Sequence, residues 1–597
     1  MHWHGGLSTS LDDEQMGRIY NPRLLFRLLA YARPYWLLTA FSIFAIVVYT
    51  LTSVAIPWVV QRAIDSVVTN HSLAGLRSAL ALFAVVVAFN YAASMAHLLA
   101  LGRVGQSILF DLRTQLFNHL QRLSLSFYDK NEVGRIMSRG QNDVQELQEF
   151  FSTIVLGLGD LLTLIGIVVA MLLMDWRLAL IVLSVLPVLV LLMALWQRPA
   201  WRVFMRVRGA IAAVNAGLQE NITGVRVVQA LNREDQNLQH FDQLNYHHLD
   251  ANLRASRFSA ALMPVVELLT AVALGLVIVF GGAMVLEGTL AVGVLVAFAL
   301  YVQRFFEPVR NLTMQYTQLQ RAVTSASRIF ELLDWKPDVA DVPGAHKLED
   351  VRGEVRFEHV DFHYSPDVPV LRDIDLHIRS GEKVALVGAT GAGKSTFVSL
   401  LFRFYDVTGG RITVDGHDIR DVQRGSLVRH MSMVLQEPFL FSGAVRENIR
   451  FCHTDVSDAR VEEVARAVGA HEFIQRLANG YDTEVQERGQ SLSPGQRQLI
   501  ALARALVADP RIVVLDEATA SVDSQTEALI QRALAKLLDG RTALIIAHRL
   551  STVRNADRIV VLEQGRVVEQ GRHSQLLARG GEYARLHQAS YREAAAG

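Results

Sequence analysis

The residues most suited to chemistry are Gly388-Ala389-Thr390-Gly391-Ala392-Gly393-Lys394-Ser395-Thr396, which fit the pattern GxxxxGK[ST]. That chemistry is phosphate binding. Glycines let backbone N–H groups wrap phosphate oxygens, Lys394 reaches the β/γ-phosphates, and the Ser395 hydroxyl ligates Mg²⁺. The run follows the β-rich Lys383–Val387 and precedes a helical stretch, Phe397–Phe404, the strand–loop–helix context that the motif needs. A second β-rich run, Ile512–Leu515, ends in Asp516-Glu517. An acid at a buried strand's end can hold the Mg²⁺ shell, and the carboxylate after it can orient and polarise an attacking water. A surface acid pair closing a strand is the plain alternative. It leaves unexplained why this pair follows a phosphate loop at domain-scale separation.

These residues lie in the second half of a 597-residue chain, too long for one core. The first half explains why 51% of the residues are hydrophobic. Arg33–Arg62 and Arg77–Arg103 hold no charge between their ends, Phe151–Met174 is broken only by Asp160, and Leu178–Gln197, Ala260–Leu286 and Gly288–Gln303 complete six apolar runs. Most approach the ~20 residues a helix needs to cross the hydrocarbon. Short connections follow the first, third and fifth runs. Long, arginine-rich ones follow the second and fourth, so both long loops and both termini are expected inside. The long loops lack Gly/Pro clusters and read as helical extensions. Pro22–Arg33, with Arg23 and Arg27 on one face and Leu24, Leu25 and Leu28 on another, suits an interfacial helix.

Intramembrane charges are candidates for a substrate path. Asp160 lies deepest and is the better candidate, whereas Glu267 and Arg304 suit anchoring or helix–helix contact. A formal net charge of zero gives no electrostatic case for nucleic acid. The single cysteine, Cys452, excludes a disulfide framework and a multi-cysteine metal site. Residues 1–15 do not read as a signal peptide, and His2 and His4 fit a solvated tail better than a metal site. The expected organisation is a disordered tail over 1–20, a transmembrane domain over 21–330, a linker over 331–352 marked by Pro337, Pro343 and Gly344, and an α/β cassette over 353–590.

Leu492-Ser493-Pro494-Gly495-Gln496, upstream of Asp516-Glu517, resembles the LSGGQ signature of the ABC ATPases. The rest of that family's pattern follows in order. Tyr364 resembles the aromatic that stacks on adenine, Gln436 the Q-loop glutamine that senses Mg²⁺, Asp523 the D-loop aspartate and His548 the switch histidine. Phe127-Tyr128-Asp129 through Gly134, and Gly224-Val225-Arg226, are similar to the two coupling regions of fused half-exporters. The resemblance implies a multi-domain chain: an all-α six-helix transmembrane domain with long cytoplasmic extensions, followed by an α/β P-loop ABC ATPase domain. It implies an ATPase in a prokaryotic plasma membrane, with Glu517 and His548 catalytic. ATP and Mg²⁺ would be held by Tyr364, Gly388, Thr390–Thr396, Gln436 and Asp516. Each ATP would lie between the P-loop of one subunit and the signature residues Ser493, Gly495 and Gln496 of the other. One P-loop and one signature per chain make a lone subunit incomplete.

Pro494 stands where the pattern has glycine. Proline is tolerated in a helix's first turn, though it donates no N–H. An altered signature beside an intact Glu517 and His548 is similar to one subunit of heterodimeric members, which sets a heterodimer slightly ahead of a homodimer. The leading expectation is export of an amphipathic molecule, drug or lipid. A gated channel, a soluble ABC protein and a siderophore-type importer are the competing readings.

Overall fold

The computed structural model describes residues 22–68, 71–451, 453, 455–516, 524–546 and 553–588. The chain divides into two compact units. The N-terminal one runs to Gln121 and resumes over Gly134–Trp335; the C-terminal one joins Arg122–Val133 to the chain from Lys336 onward.

In the N-terminal unit, six helices among the described residues are long and apolar enough to cross a membrane: Arg33–Val68, Leu73–Leu120, Val133–Met174, Trp176–Trp196, Glu234–Leu286 and Val292–Leu312. Several far exceed a bilayer. The Leu73–Leu120 helix rises about 72 Å at 1.5 Å per residue, more than twice the ~30 Å hydrocarbon thickness. Apart from Arg77 near its start, its charges, Arg103, Asp111 and Arg113, lie in the second half. The short helix Pro22–Ala30 precedes the first span. Its Leu28 is fully buried, Phe26 is exposed, and Arg27 forms a bidentate pair with Asp334 at 2.7 Å. The sixth span's helix continues through Asp334, four residues into the segment expected to be linker.

Several polar residues inside the spans join helices. Pro57 interrupts the first span and has no N–H to give the carbonyl of Ser53, four residues back. Arg304 of the sixth span supplies the missing donor, reaching the Ser53 carbonyl at 2.8 Å and its hydroxyl at 2.9 Å. Tyr301, one turn earlier, donates to the Val54 carbonyl at 2.7 Å. In hydrocarbon an orphaned carbonyl has no water to turn to, so the proline and the arginine are a matched set. Arg304→Leu is therefore expected to cost about 1–3 kcal/mol in thermal unfolding of the intact protein. The same change in a Pro57→Ala background, where residue 57 regains its N–H, should cost under half as much; equal costs would contradict the pairing. Asp160 accepts from Gln315 at 2.8 Å, which ties the third span to the extension of the sixth.

In the C-terminal unit, an antiparallel sheet in the order β2–β1–β4–β5 (Val368–Ile378, Val355–Ser365, Gly409–Val414, His417–Asp418) accompanies a six-stranded sheet. The larger sheet runs β12–β11–β3–β10–β9–β6 (Arg566–Gly571, Arg558–Glu563, Lys383–Val387, Thr542–Ile546, Ile512–Asp516, Met431–Val434) and is parallel except at β12. Two-residue strands β7 (Gly443–Ala444) and β8 (Glu484–Val485) pair separately. The central strands are apolar on both faces, as buried parallel strands must be. Ala385, Val513, Leu515, Ala543 and Ile545 face one core with the helical elements. Val384, Leu386, Val514, Leu544 and Ile546 face the other, where Phe357 meets Phe397 at 3.9 Å.

Candidate functional site

Strand register sets the site's geometry. Leu386 of β3 is level with Ile546 of β10, which is level with Asp516 of β9; Leu515 is level with Val434 of β6. The carboxyl ends of β3, β9 and β6 thus share one edge, with Asp516 two strands, or about 10 Å, from the strand that feeds the loop. Such an edge is where open parallel sheets bind ligands.

Between β3 and the Lys394–Leu401 helix the loop could be built from few other residues. A Cβ on Gly388 would lie 2.3 Å from the Leu562 carbonyl oxygen. Gly391 and Gly393 take φ of +83° and +104°, and a Cβ on Gly393 would also meet Leu371 at 2.6 Å. The loop ends at a helix N-terminus, where free N–H groups and the helix dipole favour an anion. Lys394 is 7% exposed, and its ammonium donates to the loop's own carbonyls of Gly388 (2.7 Å) and Ala389 (3.0 Å). Ala392 is buried, Thr390 and Ser395 are exposed, and Thr396 is buried with its hydroxyl 3.1 Å from that of Tyr364. Tyr364 itself is half exposed.

Ser395, Asp516 and Gln436, two residues past β6, offer a hydroxyl, a carboxylate and an amide oxygen, the hard donors that suit Mg²⁺. The Q-loop segment is fastened from behind. Arg504 donates to the carbonyls of Asn448 (2.8 Å) and Phe439 (2.9 Å), and Asn448 bonds both the N–H and the carbonyl of Phe441. Arg504 lies on the Pro494–Val507 helix, so these bonds tie that helix to the segment from Phe439 to Asn448.

The signature is capped in full. The Ser493 hydroxyl accepts the Gln496 N–H at 3.2 Å, and the Gln496 side chain accepts the Ser493 N–H at 2.9 Å. Pro494 occupies N1, where an N–H has no partner within the helix. The substitution therefore costs this helix no bond, and no capping is lost. Ser493 is exposed and Gly495 buried. Pro494→Gly is expected to leave ATP turnover within about twofold, because the box and not residue 494 secures the helix start. A rise of tenfold or more in steady-state hydrolysis would mean that Pro494 restrains the site.

The residues expected to form the coupling regions lie on or beside two short helices. Tyr128 and Asp129 lie on Leu125–Lys130, which groups with the C-terminal unit. There Phe127 is buried, the Ser124 hydroxyl accepts the Val339 N–H at 2.9 Å, Ser126 bonds Asp338, and Tyr405 donates to Asp129. Burial raises the Tyr128 phenol above its ordinary pKa. Gly224 closes the Val185–Thr223 helix, and Arg226 lies on Val225–Ala230, which has no buried residue. Glu517, Asp523 and His548 lie outside the described residues. Sequence reasoning did not find Tyr405, Arg504 or Asn448. Tyr405 and Arg504 reach partners 276 and 56 residues away, beyond any local pattern.

Residues 39–309 match the family model of the ABC transporter transmembrane region, and residues 371–520 match that of the ABC transporter. An uncharacterized ABC transporter ATP-binding protein of Bacillus subtilis, YknV, is 41% identical over 97% of this chain and 96% of its own length. An ATP-dependent lipid A-core flippase of Syntrophus aciditrophicus is 38% identical over 95% of this chain and 94% of its own. The solved structure of a bacterial Atm1-family ABC exporter with ATP bound is similar over 94% of this chain and 98% of its own, at 29% identity and a TM-score of 0.76.

Proposed function

This chain belongs to the ABC transporter family, as an exporter-type subunit that couples ATP binding and hydrolysis to transmembrane transport, and on that premise we propose that two copies pair to expel an amphipathic compound or lipid. The observation that carries the pairing is that the chain supplies one phosphate loop and one signature, with Ser493 exposed and correctly capped. Each ATP is shared: Lys394, Ser395 and the loop amides of one subunit meet Ser493 and Gly495 of the other. The intact capping box supports a signature able to serve a like partner. A like one is the simpler assembly.

Exposed apolar surface supports the same arrangement. Val225, Val227 and Leu231 are 44%, 62% and 64% exposed on and beside the second coupling helix. Phe439, Phe441 and Phe451 form an exposed aromatic run beside the Q-loop, with centroids 5.0 Å and 4.8 Å apart. Mg²⁺, when bound, neutralises the charge of the transferring phosphoryl group, and Ser395, Asp516 and Gln436 would hold it. The cassettes, both termini and the long helical extensions lie on the arginine-rich, cytoplasmic side. The lipid flippase relative supports a lipid-like cargo.

The test is to purify this subunit alone in lipid nanodiscs and assay MgATP hydrolysis, with ATP-dependent accumulation of a fluorescent amphipathic compound or lipid in inside-out vesicles. Turnover by the pure subunit supports the homodimer. Silence until a second half-transporter is co-expressed would replace it with the heterodimer, and no turnover in either case would refute the pump.

A further inference from the structure

The aromatic residue expected to stack on adenine is in contact with the residue that holds the first coupling helix. Tyr364 meets Tyr405 edge-to-face, with centroids 5.2 Å apart and planes at 88°, and both pack on the buried ring of Phe362 at 4.9 Å and 5.7 Å. The Tyr364 hydroxyl is tethered to Thr396 in the first turn of the phosphate-loop helix. The Tyr405 hydroxyl donates to the carboxylate of Asp129 on the Leu125–Lys130 helix. Burial, then the Asp129 carboxylate, raises the Tyr405 phenol, so it stays protonated and donating. The helix is thus clasped at two places. Ser124 and Ser126 fasten it to the 338–339 segment. Asp129 fastens it through Tyr405, one ring from the adenine site.

We propose that Tyr364, Tyr405 and Asp129 form a relay through which adenine stacking sets how firmly the first coupling helix is held. Edge-to-face contact depends on ring position, so a base that fixes Tyr364 also fixes Tyr405. The phosphates report through the loop, Gln436 and the signature helix; the base reports separately, through this relay. The proposal rests on Tyr364 as the adenine-stacking residue.

Amide exchange of residues 125–130, measured on the intact chain in nanodiscs, tests it. Saturating MgAMP-PNP should slow exchange about threefold in the wild type. Tyr405→Phe keeps the ring and loses the hydroxyl; nucleotide affinity should stay within about twofold while under a third of the slowing survives. Tyr364→Trp, which still stacks, should keep the slowing. A wild-type response in Tyr405→Phe would overturn the relay. So would no slowing in the wild type, or faster exchange by one factor with and without nucleotide, which marks a merely structural bond. Unchanged nucleotide affinity in Tyr364→Ala would instead refute adenine stacking itself.

Discussion

Glu517→Gln is expected to cut steady-state ATP hydrolysis at least about a hundredfold while leaving nucleotide affinity within about threefold. The last residue of β9, Asp516, stands on the same edge as the phosphate loop, with Glu517 next in the chain. A carboxylate following the metal-shell acid is suited to orient the attacking water and polarise it. Glutamine matches it in size and can still hydrogen-bond, but it cannot accept a proton. Only interactions made in the transition state are lost, so kcat falls and binding does not. A second consequence follows for the pair: subunits that bind ATP without cleaving it should accumulate in the closed arrangement. Hydrolysis by the pure protein and titration with a fluorescent ATP analogue check both halves. Substantial residual turnover in a homodimeric preparation would remove Glu517 from the mechanism.

Why this edge was legible in sequence, and the rest of its surroundings were not, is a matter of range. The phosphate loop declares itself because its constraints are local. Gly391 and Gly393 need positive φ, and Gly388 needs room beside Leu562, all within nine residues that a pattern can hold. The six spans declare themselves because hydrocarbon forbids charge over ~20 residues at a stretch. The meaning of Arg304 needed the structure. In sequence it is a charge at a span's end; in space it answers a carbonyl that Pro57 left without a donor 251 residues earlier. Asp160 stood out in sequence for its depth, and only the structure shows that it accepts a hydrogen bond from Gln315 on another helix. Pro494 shows the reverse case, a residue that stands out in sequence because it donates no N–H where the pattern has glycine. The box flanking it, Ser493 with Gln496 three residues on, was itself in the sequence, and it makes the proline harmless.

Lys394→Ala should weaken ATP binding about 10- to 100-fold and lower turnover further, because a charge-assisted contact to phosphate carries roughly 1.5–3 kcal/mol. The structure also says why arginine should not rescue it. Lys394 is 7% exposed, and its narrow ammonium sits within 2.7 Å and 3.0 Å of two loop carbonyls. A planar guanidinium is wider, needs a fork-shaped acceptor, and would have to displace the loop whose shape Gly388 and Gly393 already fix. Lys394→Arg is therefore expected to behave like Lys394→Ala in nucleotide titration, while both variants keep a thermal midpoint within a few degrees of the wild type. That last measurement separates loss of the contact from loss of the fold. Gly388→Ala makes the contrasting case, since its Cβ would collide with backbone at Leu562, and it should unfold the cassette at markedly lower temperature. If Lys394→Arg instead bound ATP with wild-type affinity, the lysine would be acting as a diffuse charge, and the geometric reading of the loop would fail.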